Sequence, residues 1–128
     1  MRYLLAEELL AIHDRLLGET GGLAGIRDLN LLFSIAERPK SGMLGQEFYP
    51  DVFTKAAAYL EGLATYHVFT DGNKRTAITA ASVFLRVNGF IFQASGDAAY
   101  RYVLTVAKKE KTLKRITEWL KKHSKKSV

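Results

Sequence analysis

The sequence has no cysteine, which excludes disulfides and thiolate metal sites. Its two prolines, Pro39 and Pro50, bound one short connection and leave the rest of the chain free for helices. No apolar run approaches the length a membrane span needs. Glu7 and Glu8 interrupt the N-terminal apolar stretch, where a secretory leader would need continuity. There is no internal repeat and no linker-like segment. The expectation is one cytoplasmic domain over residues 1–128, large enough for a real core and with no membrane partner. A hydrophobic content of 48% suits a soluble globular chain.

Acidic residues are scarce in the last part of the chain only. Residues 108–126 carry nine Lys/Arg against two Glu, whereas the remainder carries ten against eleven Asp/Glu. The net charge of +6 therefore belongs to the C-terminal segment, and it is weak evidence for a nucleic-acid-binding fold.

Apolar periodicity reads as helix through most of the chain. Leu4, Leu5, Leu9, Ile12, Leu16 and Leu17 form a stripe over about 5–17, with His13 beside it and no partner for that imidazole in sight. His13 is read as structural. The glycines of 18–25 end this helix. Asp28 suits an N-cap, with Leu29, Leu32, Phe33 and Ala36 as the buried face of a second helix that Pro39 stops. The connection 39–50 reads as a loop partly tucked against the core. Asp51 is placed to cap a third helix, in which Phe53, Ala56, Leu60, Leu63 and His67 recur at helical spacing, so that His67 sits at the C-terminal end of its buried stripe.

A fourth helical run starts near Asn73, is apolar on nearly every face, and reads as the central, enclosed helix, closed by Asn88-Gly89. Phe90-Ile91-Phe92 reads as extended. Ser95-Gly96-Asp97 starts a fifth helix to about Ala107, with Tyr100, Val103, Leu104 and Ala107 inward and Arg101 and Tyr102 outward. A sixth helix, about 112–123, carries Leu113, Ile116, Trp119 and Leu120 on one stripe and lysines elsewhere; residues 124–128 are expected to fray. Its basic face reads as solvated surface, with an RNA, DNA or acidic-partner surface as the alternative. The whole reads as an all-α, compact bundle of about six helices.

Between the third and fourth helices lies His67-Val68-Phe69-Thr70-Asp71-Gly72-Asn73-Lys74-Arg75. A helix start offers free N–H groups and partial positive charge, and therefore attracts anions. Gly72 permits close approach to that backbone. Lys74 and Arg75 add fixed charge, and Arg grips phosphate with two donors. Asp71 is a hard oxygen ligand for Mg²⁺ shared with a phosphate. An imidazole accepts a hydroxyl proton near neutral pH, which suits His67 to act as a base. Together these residues describe a nucleotide-phosphate site with a base beside it, although each residue alone is unremarkable at a turn.

This run resembles the Fic/Doc signature, His-x-Phe-x-(Asp/Glu)-(Gly/Ala)-Asn-(Gly/Lys)-Arg, and meets every fixed position. Val68 stands where Fic proteins commonly have Pro, Lys74 where most have a second Gly, and Ile78 where they usually carry another Arg. All three departures point to the Doc, or death-on-curing, branch. Residues 21–39 are similar to the upstream Doc-family segment and 3–17 to its first helix, so the likeness covers about 1–105.

The resemblance implies a toxin of a type II toxin–antitoxin system that transfers phosphate from ATP, with Mg²⁺, to a protein hydroxyl. The hydroxyl implied is a threonine of elongation factor Tu, with translation inhibited as the outcome. His67, Lys74 and Arg75 are the implied catalytic residues, Gly72, Asn73, Lys74 and Arg75 bind the nucleotide, and Asp71 holds the metal. The connection 39–50 would be a flap that aligns the target by strand-like pairing. The resemblance implies a Phd-type antitoxin as partner; residues 1–128 hold no inhibitory Ser/Thr-x-x-x-Glu-(Gly/Asn) helix, so inhibition would come from elsewhere, and nucleic acid is not expected. Most Fic enzymes instead transfer AMP with the nucleotide reversed. Lys74 fills part of the pocket those enzymes use, which favours the kinase orientation. A non-catalytic nucleic-acid-binding module using the basic C-terminal helix is the further alternative.

Overall fold

Every residue from Lys55 to Leu60 is buried, and this one stretch organises the molecule. The computed structural model describes residues 1–128. In chain order it contains α1 (Ala6–Thr20), α2 (Leu29–Glu37), a 3-10 turn (Arg38–Lys40), β1 (Gly42–Met43), β2 (Gln46–Glu47) and α3 (Val52–Thr65). Then follow α4 (Asn73–Val87), β3 (Phe90–Phe92), α5 (Gly96–Ala107), α6 (Leu113–Lys122) and β4 (Ser124–Lys126). The expected all-α bundle of six helices is present, with two small two-stranded sheets attached.

The central helix is α3, not the more apolar-looking α4. α3 packs against α2, α4, α5 and α6. Ala56, Ala57, Ala58, Gly62 and Ala64 keep its surface low, so that neighbouring helices approach closely. A Cβ on Gly62 would press Ile35 of α2 at 3.0 Å. α4 buries only one face, through Thr76, Ala77, Ala80, Ala81, Phe84 and Leu85. Short alanines on α4 read as apolar everywhere, yet small side chains need no enclosure to stay soluble. The core joins Leu4 and Leu9 of the N-terminal segment to Ile116 and Leu120 of α6.

Capping follows the sequence. Asp28 accepts from Leu31 N, Asp51 from Phe53 N and Thr54 N, Ser95 from Ala98 N, and Thr112 from Arg115 N. The face of α2 is rotated from expectation: Leu32, Ile35 and Ala36 are buried, while Leu29 and Phe33 lie open. Tyr102 does not point outward. Its ring stacks on Trp119 at 4.0 Å, and burial raises its phenol pKa.

Two corrections concern the connections. The connection 39–50, read as a loop, contains a short β-hairpin, with Gly42 opposite Glu47 and Met43 opposite Gln46. Leu44 and Gly45 both have positive φ, 53° and 81°, as a two-residue hairpin turn of the primed type requires. Its base is tied to α3 by Lys55, whose buried ammonium donates to Glu47 Oε1 (2.8 Å), Tyr49 O (2.6 Å) and Pro39 O (3.2 Å). The expected frayed tail is also ordered: Ser124–Lys126 pair antiparallel with Phe92–Phe90. Ser127 N donates to Gly89 O at 2.8 Å. The exposed edge of the Phe90–Phe92 stretch recruits this backbone, a tertiary pairing that local composition does not reveal.

Candidate active site

α3 ends at Thr65, two residues before the imidazole expected on its buried stripe. Tyr66 leaves the helical region, and His67 adopts φ 52°, the left-handed conformation that side chains other than glycine rarely take. This turn swings His67 out to solvent and sends Val68 and Phe69 into the core, both fully buried. The spacing that suggested a buried histidine is thus broken by one residue of backbone reversal. Phe69 is the apolar anchor of the loop that follows.

The loop after Phe69 is clamped from three directions. Asn73 Oδ1 accepts from Phe69 N (3.0 Å) and its Nδ2 donates to Phe69 O (2.9 Å), locking both polar groups of that residue. The Asn73 side chain is therefore occupied by the loop, and only its backbone is free for a ligand. On a second side, residues 25–28 run alongside as a bridge of Ile26 with Phe69. Arg27 N donates to Val68 O at 2.8 Å and Thr70 N to Gly25 O at 3.0 Å. From below, His13 of α1 is 1% exposed and stacks on the Phe69 ring at 3.8 Å. Its Nε2 lies 2.8 Å from Asp71 O.

The glycine-rich stretch after α1 does more than end a helix. At Gly22 (φ +124°) a Cβ would meet Asp71 Oδ2 at 2.9 Å, so glycine is needed for the approach of this wall. The Asp71 carboxylate accepts from Leu23 N (3.3 Å) and Gly72 N (2.9 Å). It remains exposed. Gly72, at φ 81°, is the N-cap of α4 and supplies no side-chain cap. The first helical bond runs from Thr76 N to Gly72 O. The amides of Asn73, Lys74 and Arg75 are consequently the unpaired donors of this helix start.

His67, Thr70, Asp71, Gly72, Asn73, Lys74, Arg75 and Tyr100 line one surface cleft of about 230 Å³. All six residues singled out from sequence lie on it. Tyr100, placed inward by periodicity, is half-buried against the core and also offers its ring to Arg75, whose guanidinium carbon lies 5.3 Å from the centroid. Thr70 and His13 were not linked to the site by sequence. The only signal for Thr70 was its place inside the run, and His13 had none, since its partner lies 58 residues away. No group of three or more His, Cys, Asp or Glu is assembled to hold a metal ion. A cation at Asp71 would take one carboxylate from the protein and its other ligands from phosphate and water, a donor set that suits Mg²⁺ on a nucleotide. No helix is long and apolar enough to cross a membrane.

The chain is 40% identical over 89 residues to the protein kinase doc of Escherichia phage P1, covering 70% of each chain. It is 44% identical over 77 residues to the toxin Doc of Mycolicibacterium smegmatis, covering 60% of this chain and 59% of that protein. A family model described as Fic/DOC family matches residues 3–85, a span that takes in α1, the glycine wall, the hairpin, α3 and the whole motif, and the chain belongs to the Fic/DOC family.

Proposed function

We propose that this protein is a Doc-type toxin: a kinase that moves the γ-phosphate of ATP to a hydroxyl of a protein. The finer assignment is a threonine of elongation factor Tu, with arrest of translation as the outcome. The observation that carries the reading is the start of α4, where three unpaired amides, Lys74 and Arg75 face one cleft together with His67. A helix start with added cations is an anion site, and phosphoryl transfer draws most of its catalysis from positioned positive charge. The relatives named kinase and toxin support the same conclusion.

The residues divide the work. The target hydroxyl oxygen attacks the γ-phosphorus, the bond to the bridging oxygen breaks, ADP leaves, and the hydroxyl proton passes to the exposed His67 imidazole. The amides of Asn73, Lys74 and Arg75 hold phosphate oxygens, and the Lys74 and Arg75 side chains balance the charge that shifts toward the leaving group. Asp71 is the residue for Mg²⁺, which when bound with the nucleotide neutralises phosphate charge. Gly72 keeps the backbone bare for that approach. Lys74 in the place of a second glycine supports γ-transfer over AMP transfer.

The proposed partner is an antitoxin of the Phd type. Large apolar side chains stand open on α2 and the hairpin, Phe33 at 51%, Met43 at 65%, Leu44 at 96% and Phe48 at 57% exposure. Such surface suits burial by a partner. The hairpin edge also suits alignment of a target segment as an added strand.

The test is a transfer assay with purified protein, Mg²⁺ and cell extract, run in parallel with ATP labelled at the α- or the γ-phosphate. Label from γ alone, on a band the size of elongation factor Tu, is the expected result. Label from α would assign AMP transfer instead. Label from neither, with ATP binding indifferent to Asp71→Ala, would reject the enzyme and leave a binding module on the basic α6.

A further inference from the structure

We propose that His13 is a positioning residue of the transfer site: its Nε2–H holds the Asp71–Gly72 peptide in the one orientation that keeps the anion-binding end of α4 open. The proposal rests on the kinase reading above for its effect on catalysis, and on the loop geometry alone for its structural claim.

The argument starts from the planarity of the peptide. The Asp71 carbonyl and the Gly72 N–H are two ends of one rigid unit. Each end has its own holder. Asp71 Oδ1 accepts the Gly72 N–H at 2.9 Å, and His13 Nε2 sits 2.8 Å from the Asp71 carbonyl oxygen. A carbonyl oxygen only accepts, so Nε2 carries a hydrogen and donates it. Gly72 at φ 81° places this peptide before a left-handed glycine, where rotation of the unit meets little steric resistance. A rotation would turn the partially negative carbonyl oxygen toward the cleft and the N–H away from Asp71. That would set negative charge where the phosphates sit and release the Asp71 carboxylate from one of its two backbone contacts.

Three further observations show that the ring itself is fixed. It is 1% exposed. It lies flat on Phe69, with centroids 3.8 Å apart and planes within 9°. Its Nδ1 lies 3.1 Å from Asp14 Oδ1. The ring edge also backs Gly72, with Cδ2 3.6 Å from the position a Cβ would take there. The imidazole thus joins α1 to the motif loop through a stack and a hydrogen bond at once. Leucine would reproduce the first contact alone. Glutamine places an N–H close to the Nε2 position and would reproduce the second, whereas asparagine places its amide nearer the Nδ1 position.

The experiment compares His13→Gln, His13→Leu and His13→Asn in the full chain. Steady-state transfer from γ-labelled ATP is measured with melting temperature and with amide hydrogen exchange at Gly72 in the absence of nucleotide. His13→Leu is expected to fold, to lose roughly 10²-fold in kcat, as sub-ångström to ångström misplacement of a reacting group does, and to lose Gly72 protection. His13→Gln is expected to recover most of kcat and the protection, and His13→Asn is not. Should His13→Leu fail to fold, the Gln–Asn pair still carries the comparison. Equal kcat and equal Gly72 protection in His13→Leu and wild type would overturn the proposal. So would equally impaired, equally stable Gln and Leu variants, because the ring would then act by packing alone. If wild type transfers no label, the kinase reading fails, and Gly72 exchange decides the positioning claim without it.

Discussion

Replacement of Lys55 by methionine tests how the hairpin is held. Lys55 is 2% exposed, yet its ammonium is satisfied by Glu47, Tyr49 O and Pro39 O, and lies 5.4 Å from the Tyr3 ring centroid. Methionine keeps the length of the stem and removes the charge. Glu47 is half exposed and returns to water at little expense. The Pro39 and Tyr49 carbonyls lie within the fold and each loses a charged donor, at about 1–2 kcal/mol apiece. Relief of the ammonium's desolvation offsets part of this. The net is a loss of about 2–3 kcal/mol. For a domain of this size that lowers Tm by roughly 10 °C. Thermal unfolding followed by circular dichroism measures it. The loss is expected to be concentrated in the hairpin, so the Phe48 amide, which bonds Ser41 O at 3.0 Å, should exchange faster than amides of α3. On the proposed function, in which the hairpin aligns the target segment, KM for the protein target should rise while KM for ATP holds. A fall in Tm below about 3 °C with unchanged Phe48 exchange would refute the claim that Lys55 anchors this element.

His67→Ala should abolish phosphate transfer while leaving Tm within a few degrees, because the exposed ring makes no hydrogen bond within the chain and alanine meets the same left-handed backbone; full activity in the purified variant would reject the base assignment. Asn73→Ala should lower both stability and transfer, by about 2–3 kcal/mol in unfolding free energy, since both polar groups of Phe69 lose their partners; chemical denaturation measures the first and label transfer the second. Stability should fall on the alkaline side. Burial pushes the Tyr59 phenol up to about 12 from an ordinary 10.0, so its contribution is complete below pH 10 and is lost as pH climbs toward 12. Burial alone would lower the Lys55 ammonium, but Glu47 and Tyr3 outweigh it and the net shift is upward, so its contribution fades in the same direction above 10.5. Denaturant midpoints measured from pH 8 to 12 check both, and a flat profile would contradict them. Removal of residues 124–128 should destabilise the chain by about 1–2 kcal/mol, through loss of the pairing with β3; an unchanged denaturant midpoint would show that the strand contributes nothing.

The sequence by itself determined everything that local chemistry carries. Asp28, Asp51, Ser95 and Thr112 cap helices because each offers an oxygen at the first turn, and that preference needs no distant partner. The motif was legible for the same reason, since six chemically specialised residues lie within nine positions and the start of α4 follows directly from Gly72. What depended on contacts across the chain was not legible. Periodicity placed His67 on a buried stripe, but the gain from sinking Val68 and Phe69 turned the backbone left-handed and put it outside. Composition favoured α4 as the centre, whereas enclosure depends on how many neighbours a helix can seat, and the alanine-rich α3 seats four. Residues 124–126 read as frayed because their pairing partner is β3, more than thirty residues earlier. His13, Gly22 and Lys55 carried no signal at all, for their partners lie on other elements, and only folding brought the imidazole to Asp71, the bare backbone to the carboxylate and the ammonium to the hairpin.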